Sequence, residues 1–233
     1  MATTIDRGGD KRRQTRSVAT RRRILDSAVR LFARQGYSYT GTSEIIANSG
    51  MTGGAFYHHF DGKESVAEAI LVETNAKVHH AYTSADDGGS ALEAVIRGTF
   101  AVAYLHVNDA GARVSSQLME TVGRATGHSA RHFDAWTDAI GAQLRLGQAQ
   151  GDVRGDVDPE GVGRSIASAA YGVWAVASFG TNPSDLVDRL AAVWDVILQG
   201  IVVADVAAYF RGYLFGEGRQ FDSARLAAPH RAG

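Results

Sequence analysis

The apolar residues of this chain recur at helical spacing along most of its length, and alternating strand patterns are nearly absent. Ile24, Leu25, Ala28, Leu31 and Phe32 fall at i, i+1, i+4, i+7 and i+8, one face of a helix, with Gly36 as its stop. Short helices are expected from Ser43, as an N-cap, to Ser49 and over Gly53–Phe60. A longer one should run from Lys63 to about Tyr82, opened by an Asp61/Glu64 capping box. Ser90 should cap a helix over Ala91–Val107, and Asn108–Gly111 should break it. Further helices are expected at about Arg113–Val122, His132–Gln150, Pro159–Phe179 and Ser184–Val203, with a break at Thr181–Pro183. Only three prolines interrupt the chain, and Pro159 suits a first helical turn. The fold class is therefore all-α.

Charge divides the chain more sharply than its total of −1 suggests. Residues 1–63 hold eleven Lys and Arg against five Asp and Glu, and the remainder holds thirteen against twenty. A basic amino-terminal quarter on an acidic body points to an anionic partner at one end. Seven of those eleven basic residues lie between Lys11 and Arg23. The absence of cysteine removes disulfides, thiolate zinc sites and cysteine catalysis. No apolar run reaches membrane-spanning length, and the first twenty residues are polar and basic without a secretory core, so a cytoplasmic location is expected. Four segments follow: a basic flexible arm (1–20), a module of short helices (21–66), a larger helical domain (67–215) and a loose tail (216–233).

Within the module, the helix ending at Ser49 leads through Gly50-Met51-Thr52 into a helix opened by Gly53 and Gly54. Gly50 permits the left-handed backbone of a tight turn between helices. Phe56 and Phe60, four apart, should pack inward and leave Tyr57 and His58 pointing elsewhere. The paired glycines let the second helix approach a partner closely, as the amino end of a recognition helix does in a major groove.

The run from Glu44 to Glu64, with its Tyr57-His58-His59-Phe60-Asp61-Gly62-Lys63-Glu64 close, resembles the TetR family of bacterial repressors. Within that family it is most similar to the γ-butyrolactone receptors of actinomycetes, through Ser43–Gly50, Ala55–Phe60 and Phe133-Asp134-Ala135-Trp136. The resemblance implies a homodimer on a near-palindromic double-stranded operator, released by a small hydrophobic signal of γ-butyrolactone, butenolide or furan type. It makes 21–66 a DNA-binding module and 67–215 an effector-binding and dimerisation domain, and it implies DNA contacts by Thr52, Tyr57, Lys63 and Ser43. On the residues themselves, Gly53, Gly54 and His58 share the recognition helix, and Arg21 and Arg22 belong to the basic run beside it. Relatives often carry a lysine where this chain has Gly53, so base readout there needs another source. The arm residues Lys11, Arg12, Arg13, Arg16 and Arg23 could supply affinity through phosphates or the minor groove.

For the effector, the resemblance points first to Trp136 as the ring stacked on the ligand. Phe100, Tyr104, Leu118, Phe133 and Tyr171 are apolar lining candidates, and Thr74, Gln117 and Ser165 are polar ones. The resemblance also implies that the Ala/Val-rich helices carrying Trp174 and Trp194 pair with those of a second copy in a four-helix bundle. His128 and His132 share a helical spacing but lack a third ligand, so neither a metal nor a cofactor is expected. No catalytic motif appears, so an enzyme is not expected. A repressor of an efflux or catabolic operon with an unrelated ligand remains open on the residues alone.

Overall fold

The computed structural model describes residues 7–85, 88–177 and 185–227. They form ten α-helices in the order α1 (Arg7–Gln35), α2 (Thr42–Ser49), α3 (Gly53–Tyr57), α4 (Lys63–Thr83), α5 (Ala91–Asn108), α6 (Ala110–Leu118), α7 (His128–Gln150), α8 (Pro159–Ala177), α9 (Asp185–Ile201) and α10 (Ala207–Ala227). A π-helical turn, Met119–Gly123, extends α6, and a 3₁₀ turn, Ala204–Val206, precedes α10. Among the described residues the β pairing is an isolated antiparallel bridge, Val153 to Val202. No helix among them is long and apolar enough to cross a membrane.

The apolar periodicity sorts into two cores. The first holds Ile24, Ala28, Leu31 and Phe32 of α1, Ile45 of α2, Phe56 of α3 and Val66, Ile70 and Leu71 of α4, closed by Val114, Leu118 and Val122. The second packs Val78 and Tyr82 of α4 with α5, α7, α8, α9 and α10. Helix α4 thus contributes to both, its amino half to one and its carboxyl half to the other, so a division at residue 66 falls inside a shared helix. Gly163 of α8 lets two backbones meet: a Cβ there would lie 3.0 Å from the Gly141 amide nitrogen and 3.1 Å from the Thr137 carbonyl oxygen.

Several boundaries differ from expectation. The arm is helical from Arg7, because residues 7–20 contain no proline and many strong helix formers that prolong α1. The side chains of Lys11, Arg12 and Arg13 lie outside the described residues, as do residues 1–6 and the expected break at Thr181–Pro183. Helix α2 starts one residue before Ser43, with Gly41 at its cap and no side-chain capping bond. Helix α4 is opened by Gly62 and Ser65 rather than by Asp61 and Glu64: the Ser65 hydroxyl lies 3.2 Å from the Gly62 amide nitrogen and donates to the Gly62 carbonyl at 2.9 Å. The expected break after α5 shrinks to Asp109, whose carboxylate accepts from the Ala112 amide at 2.9 Å and starts α6. The expected loose tail is helix as far as Ala227, because Phe210 and Leu214, four apart, are buried in the second core. Residues 228–233 lie outside the described residues.

Candidate DNA-binding face and effector cavity

Helix α2 is fixed to α1 by Ser27, whose buried hydroxyl lies 3.1 Å from the Ile45 carbonyl oxygen and 3.0 Å from Asn48 Oδ1. Gly50 ends α2 with φ +65°, the left-handed conformation the turn requires. Thr52 Oγ1 accepts from the Ala55 amide at 3.2 Å and caps α3. Phe56 and Phe60 are buried with ring centroids 6.0 Å apart. That anchor leaves the ring of Tyr57 60% exposed, with His58 exposed beside it. Cβ atoms built on Gly53 and Gly54 would meet nothing within 4 Å, so space in front of the helix start is open.

The flanking cations are not free point charges. Arg21 pairs with Glu73 of α4 and lies 5.5 Å from the centroid of the Phe60 ring. Arg22 pairs with Asp26 at 2.9 Å and lies 3.8 Å from Glu73. Lys63 donates to the Tyr37 carbonyl at 3.0 Å and sits 4.4 Å from that ring's centroid. The Tyr37 amide in turn donates to Gln117 Oε1 at 3.0 Å. The first turn of α4 is therefore joined through Tyr37 to α6, a link no sequence pattern announces. Ser43, in the first turn of α2, is exposed.

A second site lies deeper. A cavity of about 400 Å³ is lined by α4, α5, α6 with its π turn, α7 and α8. Trp136, Phe133 and Tyr171 stand in its wall, as do Asn75, His106, His132 and Trp174, which sequence reasoning did not assign to it. His106, Trp174 and Trp136 stack in series, with centroid separations of 4.5 Å and 5.1 Å and interplanar angles of 14° and 20°. Both indole nitrogens are buried without a hydrogen-bond partner. In contrast, the Trp194 indole donates to Thr99 Oγ1 at 2.8 Å. The hydroxyls of Ser115 and Ser129 donate to the carbonyls of Ala112 and Met119, at 2.7 Å and 2.6 Å. The wall contains no Asp, Glu, Lys or Arg. Burial, reinforced by the neighbouring His128 and His106, pulls His132 down to about 4. Burial also lowers His106, against opposing pulls from the Val102 carbonyl and Asp109.

Six expected ligand contacts stand elsewhere, mostly because neighbouring helical positions point about 100° apart. Thr74 faces a separate polar crevice of about 240 Å³ with Arg22, Glu73, Lys77 and Asp109, while its neighbour Asn75 takes the cavity side. Gln117 turns to Tyr37, and Leu118 is buried in the first core, while Ser116 and Met119 line the cavity. Phe100 is fully inside the second core, and Tyr104 packs against that core away from the wall. Ser165 is exposed and donates to the Gly161 carbonyl at 2.9 Å. Among the described residues no cluster of His, Asp and Glu could hold a metal ion.

Residues 24–70 match the bacterial regulatory proteins of the tetR family, and residues 89–203 match the tetracyclin repressor-like C-terminal domain. The A-factor receptor protein of Streptomyces griseus is 31% identical over 200 residues, spanning 85% of this chain and 70% of that protein. The crystal structure of a gamma-butyrolactone receptor, an ArpA-like protein, superposes with a TM-score of 0.74 at 30% identity, over 88% of this chain and 99% of that one. CprB from Streptomyces coelicolor, in complex with its biological operator sequence, superposes with a TM-score of 0.72 at 30% identity, over 89% of this chain and 99% of CprB. The chain belongs to the tetR family of bacterial transcription regulators.

Proposed function

We propose that this protein is a cytoplasmic, homodimeric repressor that binds a near-palindromic operator and leaves it when an uncharged lactone-type signal fills the cavity. The observation that carries the ligand reading is the wall of stacked indoles with unpaired nitrogens and no charged carboxylate, ammonium or guanidinium group. Such a wall favours a flat, largely apolar ring that brings hydrogen-bond acceptors of its own. A buried donor left unpaired costs about 1–3 kcal/mol, so an acceptor delivered by a ligand removes a standing penalty.

Tyr57, His58, Thr52, Ser43 and the glycines present the readable surface, and the amino end of α4 offers the Lys63 amide to a phosphate. Two recognition helices must reach successive major grooves, which favours a symmetric dimer. The exposed Val176 of α8 and Val196 of α9 are apolar surface that a second copy would cover. The ligand acts only if it binds the DNA-incompetent arrangement more tightly.

The test is a gel-shift titration on an operator duplex selected by the protein itself. Adding an alkyl γ-butyrolactone should release the duplex at saturating concentration. Retention of the duplex at all lactone concentrations rejects this ligand class.

A further inference from the structure

One basic residue beside the recognition helix is already occupied by a carboxylate. Arg21 of α1 lies over the Phe60 ring, just past the end of α3, and pairs with Glu73 of α4. Arg22 lies 3.8 Å from the same carboxylate and 2.9 Å from Asp26. Arg21, Arg22 and Glu73 are all partly exposed. Exposed ion pairs of this kind are weak, because water and salt compete with them. A DNA phosphate offers a guanidinium the same planar recognition as a carboxylate, so it can take the place of Glu73.

Glu73 has a second cation within reach. Lys77 follows it by four residues on α4, the order in which a glutamate and a lysine pair best on a helix. Here each is engaged elsewhere, and Lys77 lies 2.5 Å from Asp109, the cap of α6. Glu73, Lys77, Arg22, Asp26 and Asp109 share the polar crevice, which leaves room for side chains to swing. If Glu73 turned to Lys77, Asp109 would keep the Ala112 amide at 2.9 Å and Arg22 would keep Asp26. Arg21 alone would lose its carboxylate, and it would do so beside the recognition helix.

We propose that Glu73 is an autoinhibitory counter-ion. It holds Arg21 away from DNA phosphate, and it passes to Lys77 when Arg21 engages the operator. Operator affinity is thereby set by which cation Glu73 holds. This device rests on the operator-binding reading above and makes no use of the cavity.

The test is fluorescence anisotropy of the full chain on a duplex that the protein itself selects, at stepped KCl concentrations. Glu73→Gln should bind roughly tenfold more tightly, the effect of one charge-assisted contact. Its log affinity should also fall more steeply with log salt, by about 0.9, the slope of one added phosphate contact. In an Arg21→Gln background, Glu73→Gln should bring no gain. Lys77→Gln should weaken operator binding severalfold, and by much less once Glu73 is replaced.

Unchanged affinity in Glu73→Gln overturns the device and leaves the operator reading intact. A gain that persists in Arg21→Gln also overturns it, since loss of a negative charge anywhere near DNA would then explain the effect. An equal loss from Lys77→Gln with and without Glu73 overturns the transfer to Lys77. Failure of the unmodified chain to retain any duplex overturns the operator reading as well. The salt slope of Glu73→Gln decides the matter even if Arg21→Gln does not fold, because tighter binding at an unchanged slope adds no phosphate contact.

Discussion

At the proposed DNA-facing end the candidate contact side chains stand outside their core, held up by it; in the cavity the candidate contacts are the core. Tyr57 is 60% exposed above a buried Phe56, while Trp136 is 8% exposed and Trp174 is 7% exposed. The exposed site draws on one continuous stretch, Ser43 to Lys63, and the cavity wall draws on residues from Asn75 to Trp174. Recognition on a surface can therefore be removed without loosening the fold. Recognition within a core cannot, because each wall residue also fills space.

The largest expected contrast lies between Trp136→Ala and Tyr57→Ala. Removing the buried indole should destabilise the protein by about 3 kcal/mol, at the lower end for Trp→Ala because the site already borders empty space. Operator binding should persist below the lowered melting temperature, and lactone-driven release should vanish. Tyr57→Ala should leave the melting temperature unchanged and weaken operator binding by about 1–2 kcal/mol, roughly tenfold. Thermal melts and gel shifts on both variants check this. A comparable drop in melting temperature for Tyr57→Ala would erase the contrast.

A middle-sized effect should come from the residue that joins the two regions. Gln117 borders the cavity-lining stretch of α6 and accepts from the Tyr37 amide, whose carbonyl holds Lys63. Gln117→Ala should change operator affinity and lactone affinity little when each is measured alone. The factor by which lactone weakens operator binding should fall, within the usual 1–3 kcal/mol range of coupling free energies. Anisotropy titrations of operator with and without lactone measure that factor. An unchanged factor places the coupling elsewhere.

The smallest effect concerns pH. His132 is held at about 4 in the folded chain, below the ordinary 6.5, so the unfolded chain takes up its proton first on acidification. Stability contributed by the neutral ring is full above 6.5 and declines as pH falls from 6.5 towards 4. His132→Phe should flatten that decline in denaturant melts between those two pH values. Tyr57→Ala should leave it untouched, which keeps the two regions distinct. An identical slope in His132→Phe and the unmodified chain would show that other groups govern it.

The two regions were also unequally legible in the sequence. Spacing alone placed Phe56 and Phe60 inward, because a short helix docks by its i, i+4 residues whatever lies beyond it. All-helical class and the order of α2 to α9 followed from the same periodicity. The cavity depends on the phase at which five distant segments meet, and no local pattern encodes that. Thr74 and Asn75 differ by one position and face different hollows. Gln117 has the chemistry of a ligand contact, yet its partner is a backbone amide eighty residues away in sequence. His106 and Trp174 carried no signal beyond their types, since stacking joins α5 to α8 only in the folded chain. Helix α10 was missed because its buried pair, Phe210 and Leu214, is flanked by glycine and exposed polar residues.

The unequal settings of the three tryptophans have an optical consequence. Trp194 has a fixed hydrogen-bond partner within the core and does not line the cavity, so its emission should form a steady background. Trp136 and Trp174 are stacked on one another, with an imidazole on the outer face of Trp174. Any molecule that enters beside that stack changes the contacts and polarity around both indoles at once. The protein thus carries its own fluorophore pair at the place where its signal would arrive, and intrinsic emission should follow cavity occupancy without a label.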